Sequence, residues 1–599
     1  MARRAASGLQ LAARGLRLLP DLLRAGPGGR FTAGDLLERA ARRRAGAPCV
    51  RHEDRVVSYA ELNACANRVA HWARARGLGH GSVVGLLMEN RPEYLAMWMG
   101  LAKLGAVTAL LNTSLRGEAL AHSLRTAGCT ELILGAECAE AWNSVAAHAL
   151  DVEPFCVRDP EGEASVPAAR ARSLDAELAG ASAENPPREV RAELRAGDPL
   201  FLIYTSGTTG LPKAARFSHG RFVGGGIYAL LAGLGRDDVL YCPLPLYHTV
   251  GGVMCVNAVL RSGATLALAR RFSASGFWDD VDRYGATAFQ YVGELCRYLV
   301  NQPPHPLERS HALRFALGNG LRPDVWTTFQ ERFGVPHIVE FYGATESNVA
   351  MVNLQGRTGS VGKAPPGLEI ALVRFDIERG DVVRGADGRC RRCDVGEPGE
   401  LLGRIAEGRS VAGRFEGYTS REATEKKILR DVFEDGDAWF RTGDLLSRDA
   451  EGFYYFVDRI GDTFRWKGEN VSTQEVAEAL TARPGVELCA VYGVEVPLAE
   501  GRAGMAAVVL EPGARLDGEA LYQGLEAALP AYARPAFVRI QTAPEMTGTF
   551  KLRKVELQKQ GFDPGASTDP ILYRDDGRRA YLALDTETVS RIERGEIRF

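Results

Sequence analysis

The sequence predicts an α/β fold built on mostly parallel sheet. Two observations carry the prediction. Short apolar runs of strand length recur along the chain, separated by longer stretches of helical character. The chain is also long enough, at 599 residues, and apolar enough, at 46% hydrophobic and 25% charged, to bury large cores rather than remain disordered. At roughly 150 residues per domain that length allows several domains.

The first 30 residues stand apart. They carry Arg3, Arg4, Arg14, Arg17, Arg24 and Arg30 against Asp21. At about 100° per residue, Leu9, Leu11, Ala12, Leu16, Leu18, Leu19, Leu22 and Leu23 fall on one half of a helix kinked at Pro20. Gln10, Arg14, Arg17, Asp21 and Arg24 fall on the other. Three readings stay open: a basic amphipathic anchor on anionic lipid, a helix packed on the protein's own body, and an organelle presequence. The segment is too interrupted to span a bilayer.

Val83 to Met88 predicts a buried strand, and Pro92 to Leu111 the helix after it. Residues from about Arg158 to Asp198 are rich in Ala, Glu, Arg and Pro and predict a surface excursion. Leu200 to Tyr204, Thr265 to Leu268 and Ile338 to Phe341 are further strands. Val239 to Leu260 lacks Asp, Glu, Lys and Arg, but Pro243 and Pro245 free backbone groups that lipid cannot satisfy. It predicts buried strand, loop and helix, not a transmembrane span.

Lys and Arg total 73 and Asp and Glu 75. That balance disfavours a chain whose whole surface is a nucleic-acid footprint, so no nucleic-acid partner is expected. Eleven scattered cysteines indicate a reducing compartment. Cys390 and Cys393 form a Cys-x-x-Cys pair without a second pair nearby, which predicts an exposed loop and no zinc.

The most informative segment is Tyr204-Thr205-Ser206-Gly207-Thr208-Thr209-Gly210-Leu211-Pro212-Lys213, directly after a strand. Glycines let backbone N–H groups approach a polyphosphate, hydroxyls add donors, and Lys213 adds charge. It is not a Walker A loop, which would place Gly where Pro212 stands and Ser or Thr where Ala214 follows.

This segment resembles the signature of the adenylate-forming superfamily. The resemblance continues in order through Pro245-Leu246-Tyr247-His248, Gly318-Asn319-Gly320, Tyr342-Gly343-Ala344-Thr345-Glu346, Thr442-Gly443-Asp444 and Asp458-Arg459 to Lys551. It implies the adenylate-forming fold: a large N-terminal α/β domain over residues 31–460 and a small mobile C-terminal α+β domain over 461–599. The cosubstrates it implies are ATP and CoA, with Mg²⁺ as cofactor.

The implied roles make physical sense. A carboxylate attacking the α-phosphate of ATP is an anion attacking an anion, so cations and oriented donors must offset the growing charge. Glu346 suits Mg²⁺ as a hard oxygen ligand. Thr345 can donate to the α-phosphate, and His248 borders the acyl and adenylate pockets. Gly318, Asn319 and Gly320 lie against adenine, with the flat face of Tyr342 beside Gly343. Asp444 can accept from ribose hydroxyls, Arg459 reaches the ribose and phosphate side, and Lys551 brings a mobile charge to the reacting oxygens.

Several stretches narrow the resemblance to the fatty acid transport protein, or very-long-chain acyl-CoA synthetase, family. They include Phe289-Gln290-Tyr291-Val292-Gly293-Glu294-Leu295, Gly461-Asp462-Thr463-Phe464-Arg465-Trp466-Lys467-Gly468 and Gly501-Arg502-Ala503-Gly504. The family implies a long-chain fatty acid as substrate, joined to CoA through an acyl-adenylate, on the cytoplasmic face of a membrane. Gly468 is expected along the pantetheine route, and Gly461 as the pivot between the two half-reactions. Tyr291, Gly293, Glu294 and Gly320 are candidate walls of the acyl pocket. The glycine usual before the catalytic lysine is Phe550 here, and Lys554 follows Lys551. Two other readings remain: a fatty acid transport component with secondary ligase activity, and an acyl-AMP ligase that loads a carrier protein.

Overall fold

The computed structural model describes residues 15–599 except 16–17, 19, 22, 146–147, 149, 163–166, 206–211, 378, 407–412, 468, 498, 500, 543 and 545–553. The chain divides into two compact units. One comprises Met1–Glu369, Gly403–Leu429 and Ala438–Phe440; the other comprises Ile370–Leu402, Arg430–Asp437 and Arg441–Phe599.

The first unit contains β1 Pro48–His52, β2 Arg55–Ser58, β3 Val83–Leu87, β4 Val107–Leu110, β5 Glu131–Gly135, β6 Glu153–Val157, β7 Arg172–Ser173, β8 Pro199–Thr205 and β9 Lys213–Ser218. It continues with β10 Val239–Cys242, β11 Thr265–Leu268, β12 Ala288–Val292, β13 Phe315–Asn319, β14 His337–Gly343 and β15 Ala350–Asn353. One sheet runs β7-β6-β5-β3-β4-β8-β9 and the other β15-β14-β13-β12-β10-β11-β1-β2. Antiparallel pairing is confined to edges, at β8–β9, β1–β2 and β14–β15. The inner strands are buried on both faces, which is why they read as continuous apolar runs.

The helix expected over Pro92 to Leu111 is a helix followed by a strand. The helix spans Pro92–Ala102 with Pro92 in its first turn. Gly105 then turns the chain at a φ of +76°, and Val107–Leu110 becomes β4. Every residue from Tyr94 to Leu111 is buried, so the hydrophobic run hid the break. The usable signals were Gly105 and the β-branched pair Val107 and Thr108.

The apolar stretch after Val239 folds as expected, into β10, a π-helix over Thr249–Cys255 and an α-helix over Val256–Ser262. No helix among the described residues is long and apolar enough to cross a membrane. The excursion after Arg158 forms β7, a short helix over Leu174–Leu178 and a 3₁₀ turn over Arg188–Arg191.

Much of the N-terminal amphipathic pattern lies outside the described residues. From Leu18 onward some of its described residues pack on the body. Leu18 is buried. Asp21 takes both guanidinium nitrogens of Arg39 at 2.7 Å and lies 3.4 Å from Arg261. Pro27 and Gly29 accept backbone hydrogen bonds from Gly197 and Ala196. Leu23 stands outward, 72% exposed, as do Pro20 and Arg24.

In the second unit, residues 370–373, 399–402, 441–448 and 454–459 lie side by side in one sheet. A five-stranded sheet follows, formed by Val486–Glu495, Arg502–Leu510, Phe537–Ile540, Ile571–Asp575 and Ala580–Ala583. Val476, Leu480, Leu521 and Leu525 from two helices join its core. Ser472 caps the first of these helices by accepting from the Glu475 N–H at 3.3 Å. Cys390 and Cys393 do not sit in an exposed loop. Cys390 is buried, and both residues donate backbone hydrogen bonds, to Val432 and Leu372.

Candidate active site

The segment expected to bind phosphate begins and ends on paired strands. Thr205 closes β8, Lys213 opens β9, and the two are register partners. Ser206, Gly207, Thr208, Thr209 and Gly210 lie outside the described residues. A short stretch adds to the outer edge of β9: Arg216 N–H donates to Gly417 at 3.1 Å and Thr419 N–H to Ala214 at 3.0 Å.

That stretch carries Tyr418, which sequence reasoning missed. Its hydroxyl donates to Glu346 Oε1 at 3.0 Å. The Thr205 side chain lies beside the same phenol and lowers its pKa. Burial and the Glu346 carboxylate hold the phenol well above the usual tyrosine range, so it remains a donor. Thr205 and Glu346, expected at one site, therefore lie beside one side chain.

Strand β14 delivers Tyr342 and Gly343 at its end, and Thr345 and Glu346 follow. Thr345 Oγ1 lies 2.7 Å from the Thr249 hydroxyl, in the first turn of the π-helix. A helix of this type in this place is common at functional sites. It packs tightly on its own approach: a Cβ on Gly252 would sit 1.9 Å from the Leu246 carbonyl oxygen. His248 immediately precedes it. Its Nε2 is shielded from solvent without a hydrogen-bond partner, and burial pushes the imidazole down to about 4. His248 is therefore neutral, not a cation, near pH 7.

The expected adenine turn is built on packing. Gly318 and Asn319 end β13, and Gly320 follows at a φ of +76°. The Asn319 Oδ1 is buried without a partner. Glu340, on β14, accepts from the Leu321 N–H at 3.0 Å and from the Tyr291 hydroxyl. A Cβ on Gly318 would lie 2.4 Å from the Tyr291 ring, and one on Gly293 only 1.8 Å from the Gly320 carbonyl oxygen. Tyr291 and Gly293, expected as pocket walls, thus support the turn, while Glu294 pairs with Arg297.

Glu340 is a buried carboxyl, and desolvation raises it to about 7 from 4.5. A carboxyl whose folded value is raised adds stability below its unfolded value, and that contribution disappears as pH rises through about 7. Wild type is therefore expected to lose stability relative to Glu340→Gln between pH 5 and pH 8. Urea unfolding at the two pH values checks this; an unchanged difference would contradict it.

In the second unit Asp444 and Arg459 are register partners, with Arg459 Nε 3.8 Å from Asp444 Oδ1. Buried Asp458 accepts from the N–H and hydroxyl of Thr473, at 2.6 and 3.0 Å. Gly461 is exposed, and a Cβ added there would meet nothing within 4 Å. Lys554 pairs with Asp462 at 2.9 Å. Gly468, Phe550 and Lys551 lie outside the described residues.

Elsewhere among the described residues, His52, Glu53 and Glu161 bring ligand atoms within 4.8 Å of one another. Arg270 lies 3.3 Å from Glu53 and 3.5 Å from Glu161, so an internal cation already serves that cluster.

Residues 37–413 match the family described as AMP-binding enzyme, and residues 475–551 match AMP-binding enzyme C-terminal domain. The human "Long-chain fatty acid transport protein 1" is 44% identical over 547 residues, which cover 89% of this chain and 83% of that protein. The "Medium/long-chain-fatty-acid--CoA ligase FadD6" of Mycobacterium tuberculosis is 42% identical over 586 residues, 95% of this chain and 92% of that one. Among solved structures, ATP-bound MatB from Rhodopseudomonas palustris superposes with a TM-score of 0.72 at 25% identity, covering 88% of this chain and 98% of that chain.

Proposed function

The chain belongs to the AMP-binding enzyme family, and from that premise we propose that it is a long-chain fatty acyl-CoA ligase. The similarity to the FadD6 ligase over nearly the full length of both chains carries the proposal. The reaction has two halves. A fatty acid carboxylate oxygen attacks the α-phosphorus of ATP, giving acyl-AMP and pyrophosphate. The CoA thiol then attacks the acyl carbonyl, giving acyl-CoA and AMP.

The chain's own residues have divided tasks. Thr205 to Gly210 and Lys213 cradle the phosphates. Gly318 to Gly320 and Tyr342 receive adenine, and Asp444 accepts from the ribose with Arg459 beside it. Thr345 donates to the α-phosphate, and Lys551 sets its charge on the reacting oxygens. Neutral His248 contributes shape and a dry wall. Glu346 fits a Mg²⁺ ion: it offers a hard carboxylate oxygen, its rotamer is held by Tyr418, and Mg²⁺ takes few protein ligands beside substrate phosphates. When bound, that ion supplies neutralisation of phosphate charge.

The substrate class is tested with a panel of acids. Purified protein is expected to form thioesters from palmitate and longer saturated acids with kcat/KM at least about tenfold above benzoate or malonate. A preference for either small acid would overturn the assignment.

Gly461 is the proposed pivot between the half-reactions. The open space around it means that glycine is not demanded by packing in this conformation. Proline there, which fixes φ, is expected to change the ratio of the two half-reaction rates by about tenfold while the melting temperature holds. Equal loss in both halves would argue against a pivot.

The name of the human relative favours a coupled role in fatty acid uptake. Ligation makes entry directional by converting a membrane-permeant acid into a charged thioester, at the cytoplasmic face of a membrane. Uptake in cells expressing Lys551→Ala separates the roles: loss of accumulation supports trapping by ligation, and unchanged accumulation supports transport by itself.

A further inference from the structure

We propose that Tyr418 is a positioning residue, which holds the Glu346 carboxylate in the orientation that receives a metal–nucleotide complex and couples it to β9. The proposal rests on the reading of Glu346 as the Mg²⁺ ligand.

The geometry gives the phenol little choice. Tyr418 is 6% exposed. Its N–H donates to Thr424 Oγ1 at 3.0 Å, and its backbone pairs with Ala215 on β9. Two residues before it, Glu416 accepts from the Ser218 N–H at 2.8 Å. The ring is thus carried on backbone sewn to the strand that leaves the phosphate loop. A phenol has one proton, and a carboxylate only accepts. The bond to Glu346 Oε1 therefore uses the Tyr418 proton.

Tyr418 thus joins two parts of the chain that are far apart in sequence: β9 and the turn after β14. Glu346 is only half-buried, so without the phenol its carboxylate would sample several rotamers. A hydrogen bond to a charged group is strong enough to select one of them. Phenylalanine keeps the ring and removes only the hydroxyl.

The test measures ATP binding without fatty acid or CoA, by calorimetry, in Mg²⁺ and in EDTA, for wild type, Tyr418→Phe and Glu346→Gln. The expected result is that Tyr418→Phe loses about tenfold of the affinity gained from Mg²⁺, binds ATP normally in EDTA, and keeps its melting temperature. Glu346→Gln should lose the whole gain. If Glu346→Gln loses the gain and Tyr418→Phe retains it, the positioning role is overturned while the metal-ligand reading stands. If neither variant changes it, the metal-ligand reading fails and the proposal with it. If Tyr418→Phe weakens binding equally in EDTA and Mg²⁺, Tyr418 is a structural anchor and the proposal is likewise overturned.

Discussion

Lys551→Ala is expected to slow acyl-adenylate formation by about two to three orders of magnitude, the usual cost of losing one preorganised charge-stabilising donor. Thioester formation from supplied acyl-AMP is expected to stay within about twofold of wild type. The split follows from where charge develops. In the first half-reaction a carboxylate approaches a phosphate, and negative charge accumulates on oxygens that a mobile ammonium can reach. In the second, a thiol attacks a carbonyl already activated by its AMP leaving group. Single-turnover assays of each half, with radiolabelled ATP and with acyl-AMP, measure the two effects separately. Equal losses would mean that Lys551 supports the fold or both steps. Lys554 is the natural comparison, because its ammonium is already paired with Asp462. Lys554→Ala should leave adenylation far less affected than Lys551→Ala.

Gly293→Ala has the second-largest expected effect. One methyl group there would meet backbone, the Gly320 carbonyl oxygen at 1.8 Å and the Leu321 nitrogen at 2.9 Å. No side-chain rotation relieves that clash, so the turn expected against adenine must move. Overpacking of this kind costs about 1–3 kcal/mol of stability. A displaced binding turn loses rate on the order of tenfold to a hundredfold. The variant should therefore melt several degrees lower and show a raised KM for ATP. The thioester step from supplied acyl-AMP should suffer too, because AMP occupies the same turn. A variant with wild-type ATP kinetics would show that Gly293 does not control the turn.

The sequence revealed elements whose signal is local and missed those whose signal is not. Val83 to Leu87 and Thr265 to Leu268 are apolar runs with clear ends, and both were legible. Val107 to Leu110 was absorbed into the preceding helix because both are equally buried. The site divides the same way. Thr205 and Glu346 stand in motifs, so their residue types announce them. Tyr418 lies 72 residues from Glu346 in the chain and acts through a contact that only folding creates. Glu340 looks like one acidic residue in a strand until Tyr291 and Leu321 close around it. Cys390 was misplaced because a Cys-x-x-Cys pair carries no information about the strands that cover it.

The central claim is that the fatty acid is activated as an acyl-adenylate. The most direct measurement is oxygen transfer. Palmitate labelled with ¹⁸O in both carboxyl oxygens is incubated with protein, Mg-ATP and CoA, and the nucleotide products are weighed by mass spectrometry. The account predicts AMP carrying one ¹⁸O, unlabelled pyrophosphate and palmitoyl-CoA retaining one ¹⁸O. ADP as the product, or label in inorganic phosphate or pyrophosphate, would contradict it.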